Sequence, residues 1–121
     1  MKRDFELIRK MVLMIESEDH VWRHEELNIP EYSDDQIAYH AYLLVDAGFA
    51  IGQDSTQANS KVVQYDIFHL TWAGHEFADA VRDESRWKKV IEQIKGKSEG
   101  ITLAVLTQLL IAVMKMAVGL N

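Results

Sequence analysis

The sequence contains no cysteine, and this absence excludes several kinds of site at once. Without thiols the chain forms no disulfide framework, holds no metal through thiolate ligands and carries no cysteine nucleophile. A glycine-rich phosphate loop, a nucleophile elbow and a paired-carboxylate motif are absent as well. We therefore expect a protein without enzymatic activity and without a cofactor.

Basic side chains are missing from a long central stretch. Strictly between Arg23 and Lys61 there is no lysine or arginine, while seven acidic side chains give that window a formal charge of −7 with histidine neutral. The whole chain carries a net charge of −6. Proteins that coat nucleic acid neutralise phosphates with clustered lysine and arginine, so this composition argues against such a role.

An export signal is also lacking. The opening residues, MKRDFELIRKM, are charged and amphipathic and contain no continuous apolar core. Segment 101–120 has about the 20 apolar residues that a bilayer requires, but Gln108 and Lys115 interrupt it. We therefore expect a cytoplasmic protein that does not enter a membrane.

The stretch 33–49, SDDQIAYHAYLLVDAGF, is the clearest structural signal in the chain. Ser33 and Gln36 have the spacing of a capping box, which predicts the start of a helix. Gly48 takes a left-handed conformation without steric cost and predicts its end. A helical repeat of about 100° per residue places two sets of residues on opposite faces. The apolar face holds Ile37, Ala41 and Leu44, and the outward face holds Asp35, Tyr39, Tyr42 and Asp46.

The flanking segments predict the remainder of a small domain. Apolar residues at helical spacing predict an amphipathic helix over 4–16. Segments 49–52 and 62–70 are strand candidates, and the polar residues 53–61 between them are typical of a hairpin loop or wing. Thr71 is the candidate N-cap of the next helix. The fold class is therefore mainly α with a small β-hairpin: a winged helix-turn-helix-like domain followed by additional C-terminal helices.

A break in the helical pattern divides the predicted domain from the last segment. The sequence GKSEG at 96–100 favours a turn because it holds two glycines and a serine. We expect 1–97 to form the winged-helix-like domain with its helical extension. We expect 98–121 to form an apolar C-terminal helix that serves oligomerisation.

Three sequence pieces together resemble a known family: MKRDFELIRKMVL at the start, IAYHAYLLVDAGFA in the centre, and HLTWAGHEFADAVRDESRWKKV beyond it. They are similar to the bacterial and phage family catalogued as domain of unknown function family 2513, from residue 1 to about 97. The resemblance implies a setting in bacteria and their mobile elements, and it carries over no catalytic or binding residue. The likeness of the last two pieces to winged-helix regulators is an analogy of fold, which does not establish function.

In a winged-helix protein the central helix would enter the DNA major groove, and here its chemistry opposes that role. It offers aspartates to a polyanion and no arginine to read guanine. Tyrosine favours protein interfaces, because its ring buries area while its hydroxyl keeps a hydrogen bond. We therefore expect a regulator or adaptor that contacts an unknown protein partner through Asp35, Tyr39, Tyr42 and Asp46.

The alternative is a DNA-binding transcriptional regulator that uses basic strips outside the central helix. These strips lie at the N-terminus and over 82–97, where six basic and three acidic side chains leave a formal charge of +3. Clustered positive charge is the electrostatic footprint of phosphate binding, although a solvated helix face has the same composition. The candidate nucleic-acid contacts are Lys2, Arg3, Arg82, Arg86, Lys88 and Lys89.

The chain has five histidines, and their spacing predicts no metal site. His20 and His24 are four apart with Glu25 adjacent, but Pro30 and a mixed pattern make a shared helix face uncertain there. The zinc-protease motif needs glutamate directly after the first histidine, which HVWRHE lacks. We expect His40 to lie at the edge of the core with a hydrogen bond to the backbone.

The last segment is the most apolar in the chain, and Thr102 is its candidate N-cap. A monomer should not expose so large an apolar patch, whereas a symmetric dimer would bury it. We therefore expect a homodimer in preference to membrane association. The predicted dimer interface comprises Leu106, Leu109, Leu110, Val113, Met114 and Ala117.

Overall fold

The computed structural model of the protein describes residues 1–94, 102–117 and 119. Within these residues the chain is mainly helical, with one antiparallel β-hairpin, and this part of the predicted fold class is confirmed. In chain order the elements are α1 (Phe5–Ser17), a 3-10 helix (His24–Glu26), α2 (Asp34–Asp46), β1 (Ala50–Asp54), β2 (Tyr65–Leu70), α3 (Trp72–Val81), α4 (Glu84–Ile94) and α5 (Leu103–Ala117).

The chain divides into two compact units, Met1–His75 and Glu76–Asn121. The boundary falls inside α3 and therefore precedes the division near residue 97 that the sequence suggests. The reason is that α4 packs against α5, so these two helices belong to one unit. The predicted turn at 96–100 lies outside the described residues.

Local signals set the start of α1. The Asp4 carboxylate accepts hydrogen bonds from the backbone N–H groups of Glu6 and Leu7, at 2.9 and 3.2 Å. These groups have no partner within the helix, so the cap stabilises its first turn. The buried face of α1 packs against α2 and β2 and comprises Leu7, Ile8, Met11, Val12 and Ile15.

The capping box predicted for α2 is present. The Gln36 backbone N–H donates to Ser33 Oγ at 3.1 Å, and the Ser33 backbone N–H donates to Gln36 Oε1 at 2.9 Å. Gly48 follows the helix with φ of 80°, the left-handed conformation expected at its end. The inward residues are buried, as predicted: Ile37, Ala41 and Leu44.

The strands of the hairpin differ from the predicted segments 49–52 and 62–70, because β1 continues to Asp54 and β2 begins only at Tyr65. Beyond the strands, the Ser55 N–H still donates to the Gln64 carbonyl at 2.8 Å, and the Gln64 N–H donates to a side chain, Thr56 Oγ1, at 2.9 Å. A bulge interrupts the pairing between Ile51 and Gly52. On the other side of β2, Trp22 exchanges two backbone hydrogen bonds with Ile67, both 2.8 Å long, and so adds a third chain segment to the hairpin.

A tight corner joins β2 to α3. Thr71 caps α3 as predicted, because its Oγ1 accepts from the Gly74 N–H at 3.1 Å and donates to the Gly48 carbonyl at 2.6 Å. A Cβ on Gly74 would lie 2.0 Å from the carbonyl oxygen of Phe49. Only glycine fits this close approach of two backbones.

In the second unit, Trp87, Val90 and Ile94 of α4 are buried. Thr102 caps α5, as predicted, by accepting a hydrogen bond from the Val105 N–H at 3.1 Å. Among the described residues, no helix is both long enough and apolar enough to cross a membrane.

Candidate functional site

The outward face of α2 carries a row of aromatic side chains bracketed by acids. Asp35 and Asp46 are exposed, and Tyr39 and Tyr42 are half-buried. The rings of Tyr39 and Tyr42 lie 6.1 Å apart, and that of Tyr42 lies 5.8 Å from Tyr65 of β2. We call Tyr39, Tyr42 and Tyr65 the tyrosine row. The four residues predicted as a protein contact therefore share one region of the molecule, and the contact itself stays a prediction.

Tyr65 is the member of the tyrosine row that the sequence does not reveal. The alternation of residues 62–70 predicts a strand but not which helix covers it. Tyr65 joins the row because α2 packs against β2. Offset or tilted aromatic pairs at such centroid distances are favourable, so Tyr65 holds the rings of α2 in place.

A cavity of about 370 Å³ opens in the first unit beside the outward face of α2. Its wall includes Asp34 and Asp35 from the start of α2, with His24 and Glu25 from the 3-10 helix. Polar residues of the loop between the strands also line it, namely Gln57, Ser60 and Gln64, together with the apolar Leu27, Ala38 and Val62. The cavity therefore presents three carboxylates and one imidazole.

His24 lies in a polar cluster at one side of this cavity. Its Nδ1 is 2.9 Å from Ser55 Oγ and 3.4 Å from Asp66 Oδ1, and its Nε2 is 2.8 Å from Glu25 Oε1. The Ser55 hydroxyl donates to Asp66 Oδ1 at 3.1 Å. The His24 backbone N–H donates to the same oxygen at 2.8 Å.

Asp66 is held in its charged form by these contacts. Burial alone would raise the pKa of its carboxyl, but the hydrogen bonds from the His24 N–H and the Ser55 hydroxyl, with the His24 ring nearby, outweigh burial and lower the pKa. The sequence pairs His24 with His20 on a spacing argument. In the structure its partners are Ser55 and Asp66, which local sequence patterns do not connect to it.

His40 has a structural position. Its side chain is 1% exposed, its Nδ1–H donates to the Gln36 carbonyl at 2.7 Å, and its Nε2 accepts from the Asp4 N–H at 2.8 Å. Burial lowers the pKa of His40, despite the opposing effects of the Gln36 carbonyl and the Asp4 charge. The expected hydrogen bond to the backbone is present, and the ring joins α2 to the start of α1.

The basic candidates for nucleic-acid contact fall in both units. Lys2 and Arg3 lie in the first, and the Arg3 guanidinium sits 4.9 Å from the centroid of the Phe5 ring. The other four lie in the second unit, where Arg82 bonds Asp79 at 2.9 Å and Lys88 lies 3.7 Å from Glu84. Lys88 and Lys89 are exposed, and Arg86 is half-buried.

The predicted dimer interface is only partly available in the structure. Leu106 and Leu110 are completely buried within the single chain, so they have no surface to offer a second copy. Leu109 is half-buried. The side chains of Val113, Met114 and Ala117 lie outside those described. The apolar pattern of α5 predicts burial correctly for the first two, but it does not distinguish cover by the same chain from cover by a partner.

Comparison with known proteins gives a family. The family described as "Hypothetical protein (DUF2513)" matches residues 2–100. The chain belongs to the DUF2513 family. The resemblance found in the sequence is thereby confirmed. DUF2513 is a domain of unknown function, so membership brings no catalytic or binding residue with it.

A relative of this DUF2513 protein occurs in Haemophilus influenzae and is described as an uncharacterized protein. It is 31% identical over 110 residues, which cover 89% of this chain and 91% of the relative. The similarity therefore extends over nearly all of both proteins. No solved structure shows a significant match to the chain.

Proposed function

We propose that this DUF2513 protein is a non-enzymatic winged-helix regulator or adaptor that acts through contact with another protein. The order of elements in the first unit supports the winged-helix assignment: α1, the Trp22 segment, the 3-10 helix, α2, and then the hairpin. In this reading α2 occupies the position of a recognition helix and the loop 55–64 is the wing.

The charge of α2 argues against DNA as its partner. Asp35 and Asp46 are exposed at the two ends of its outward face, where a recognition helix would approach phosphates. Positioning contacts to DNA come largely from basic side chains, and guanine is read mainly by arginine. The helix contains neither lysine nor arginine.

The observation that carries the proposal is the tyrosine row between these two acids. Half-buried aromatic rings that support one another are held in place before binding, so little side-chain freedom is lost when a partner covers them. Tyrosine is enriched in the energetically dominant positions of protein interfaces. The flanking aspartates complement a partner with basic groups at the rim of its own surface.

DNA binding by the second unit is the alternative function. The exposed Lys88 and Lys89 on α4 favour it, since solvent-exposed lysines can approach a phosphate backbone. Self-association through α5 is a further proposal, and it would have to use residues other than Leu106 and Leu110.

Two measurements separate these functions. In the first, the full chain is used as bait, and the captured proteins are quantified by mass spectrometry. The wild type is compared with two double variants, Asp35→Lys/Asp46→Lys and Tyr39→Ala/Tyr42→Ala. We expect the same protein to be captured by the wild type and lost from both variants. The matched control is Arg86→Glu with Lys89→Glu, which should retain the partner. Thermal unfolding of each variant checks that the fold persists.

The second measurement is binding to mixed-sequence duplex DNA at low and moderate salt. We expect no binding by the wild type. A steeply salt-dependent affinity that disappears in Arg86→Glu with Lys89→Glu would establish the alternative. Capture that is unchanged in the α2 variants would contradict the proposed protein contact.

A further inference from the structure

Three side chains of the kind that bind metal ions meet where the 3-10 helix contacts β2. One ring nitrogen of His24 and one carboxylate oxygen each from Glu25 and Asp66 lie within 4.8 Å of one another. A zinc ion bonds such atoms at about 2.0–2.2 Å, so two of its ligands can lie up to about 4.4 Å apart. The side chain of Glu25 is 63% exposed, so a small rotation can bring its oxygen from the 4.8 Å bound to within the limit of about 4.4 Å.

The imidazole of His24 is oriented in the way that metal-binding histidines are. Since the Ser55 hydroxyl donates to Asp66, its oxygen accepts from Nδ1–H of His24. The other ring nitrogen, Nε2, lies 2.8 Å from Glu25 Oε1, so the two atoms that would bind the ion are already neighbours. Fixing one ring nitrogen with a hydroxyl and a carboxylate is the usual arrangement behind a metal ligand.

Hydrogen bonds of the backbone hold the cluster in position. The paired hydrogen bonds between Trp22 and Ile67 place His24 opposite Asp66, and the His24 N–H is itself bonded to the Asp66 carboxylate at 2.8 Å. The side chains of His24 and Asp66 are only 12% and 18% exposed. The imidazole is therefore positioned before any ion arrives, which reduces the entropy lost on binding.

The surroundings supply both access and charge. The cavity of about 370 Å³ next to His24 has room for water ligands, and Asp34 and Asp35 in its wall add negative charge near the cluster. The window from His24 to Ser60 contains no lysine or arginine that could neutralise these acids. A divalent cation would offset part of this negative charge.

We infer that the cluster of His24, Glu25 and Asp66 is a binding site for a divalent transition-metal ion. His24 coordinates through Nε2, and Glu25 coordinates through its carboxylate. Asp66 is a positioning residue, which acts with Ser55 by holding the ring. Water from the adjacent cavity completes the coordination. An imidazole ligand favours zinc and its neighbours over magnesium and calcium, which prefer oxygen alone. No residue of the proposed protein contact coordinates the ion in this assignment, although Asp35 lines the same cavity.

The test is isothermal titration calorimetry of the full chain with Zn²⁺. We expect one site of dominant affinity in the wild type, and its loss in His24→Ala. Asp66→Asn, which weakens the support of the ring, should reduce the affinity about 10–100-fold. Mg²⁺ should bind far more weakly than Zn²⁺. A rise in thermal unfolding temperature with Zn²⁺ in the wild type, absent in His24→Ala, is the second readout.

His20→Ala is the matched control, because it removes an exposed histidine from the pair suggested by sequence spacing while leaving the cluster intact. It should retain the zinc affinity of the wild type. If His24→Ala does not fold, Glu25→Gln replaces it, since Glu25 is exposed and its removal leaves the core unchanged. Undiminished zinc binding in Glu25→Gln or in a folded His24→Ala would overturn the assignment, as would loss of the site in His20→Ala.

Discussion

The two faces of α2 differ in burial and therefore in the side chains that each can hold. The inward face is closed to water and holds apolar side chains together with one histidine, whose ring nitrogens both bond the backbone. The outward face holds two exposed aspartates and a row of tyrosines. Burial penalises charge, so a polar group survives on the inward face only in its neutral form and with every hydrogen bond made. The inward face thus specifies the fold, and the outward face is free to carry function.

The largest expected effect comes from emptying the inward face. Leu44 is completely buried, and we expect Leu44→Ala to lower the free energy of unfolding by about 2–5 kcal/mol, through lost burial and the cavity that remains. Urea unfolding followed by circular dichroism measures the change. Asp46→Ala, two residues away on the outward face, is the control and should remain within about 0.5 kcal/mol of the wild type. Equal losses in the two variants would show that the faces do not differ as described.

A smaller effect follows from the histidine of the inward face. The pKa of His40 is lowered in the folded state from an ordinary value of 6.5. The unfolded chain therefore takes up a proton first, and stability should fall as the pH drops below about 6.5, by at most about 1.4 kcal/mol per pH unit. Above that pH the neutral, buried His40 makes its full contribution to the free energy of unfolding.

Urea unfolding at pH 7.5 and 5.5 measures this dependence, and His40→Gln should reduce it. Carboxylates such as Asp66, whose pKa is lowered, contribute their own loss of stability only at more acidic pH. If the wild type and His40→Gln lose the same free energy of unfolding between pH 7.5 and 5.5, the pH dependence comes from groups other than His40.

The smallest effect concerns the N-terminal end of the helix, which supports both faces. Ser33→Ala removes the acceptor for the Gln36 N–H, and we expect a loss of about 1 kcal/mol. Ser33→Asp restores an acceptor at the same position and should recover most of the stability. Thermal unfolding of the two variants at one pH measures the difference in stability. If Ser33→Asp is as unstable as Ser33→Ala, the lost cap does not explain the loss of stability.

The sequence predicted the parts of the molecule that depend on neighbouring residues. The caps of α2, α3 and α5 act over three positions, and the inward set Ile37, Ala41 and Leu44 follows from one helical repeat. β1 ended later and β2 began later than predicted. Just before β2 the Gln64 N–H donates to the Thr56 hydroxyl, a contact that a pattern of hydrophobicity does not detect.

The rest depends on contacts between residues that are distant in the sequence. His24 and Asp66 lie 42 positions apart, and only the pairing of Trp22 with Ile67 brings them together. Tyr65 reaches the tyrosine row through the packing of α2 on β2, and Leu106 and Leu110 turn out to be buried by their own chain. In each case the residue type indicated a polar, aromatic or buried role, but the nearby sequence did not indicate which distant residue it would contact.

The bulge in the hairpin has a consequence for the behaviour of the protein in solution. β2 lies between β1 and the Trp22 segment, so β1 is the outer strand, and outer strands can pair with a second chain and start aggregation. β1 is five residues long, is interrupted after Ile51, and ends at the charged Asp54. A short, bulged strand with a charged end is a poor template for another strand. We therefore expect the irregularity of the hairpin to disfavour edge-to-edge aggregation.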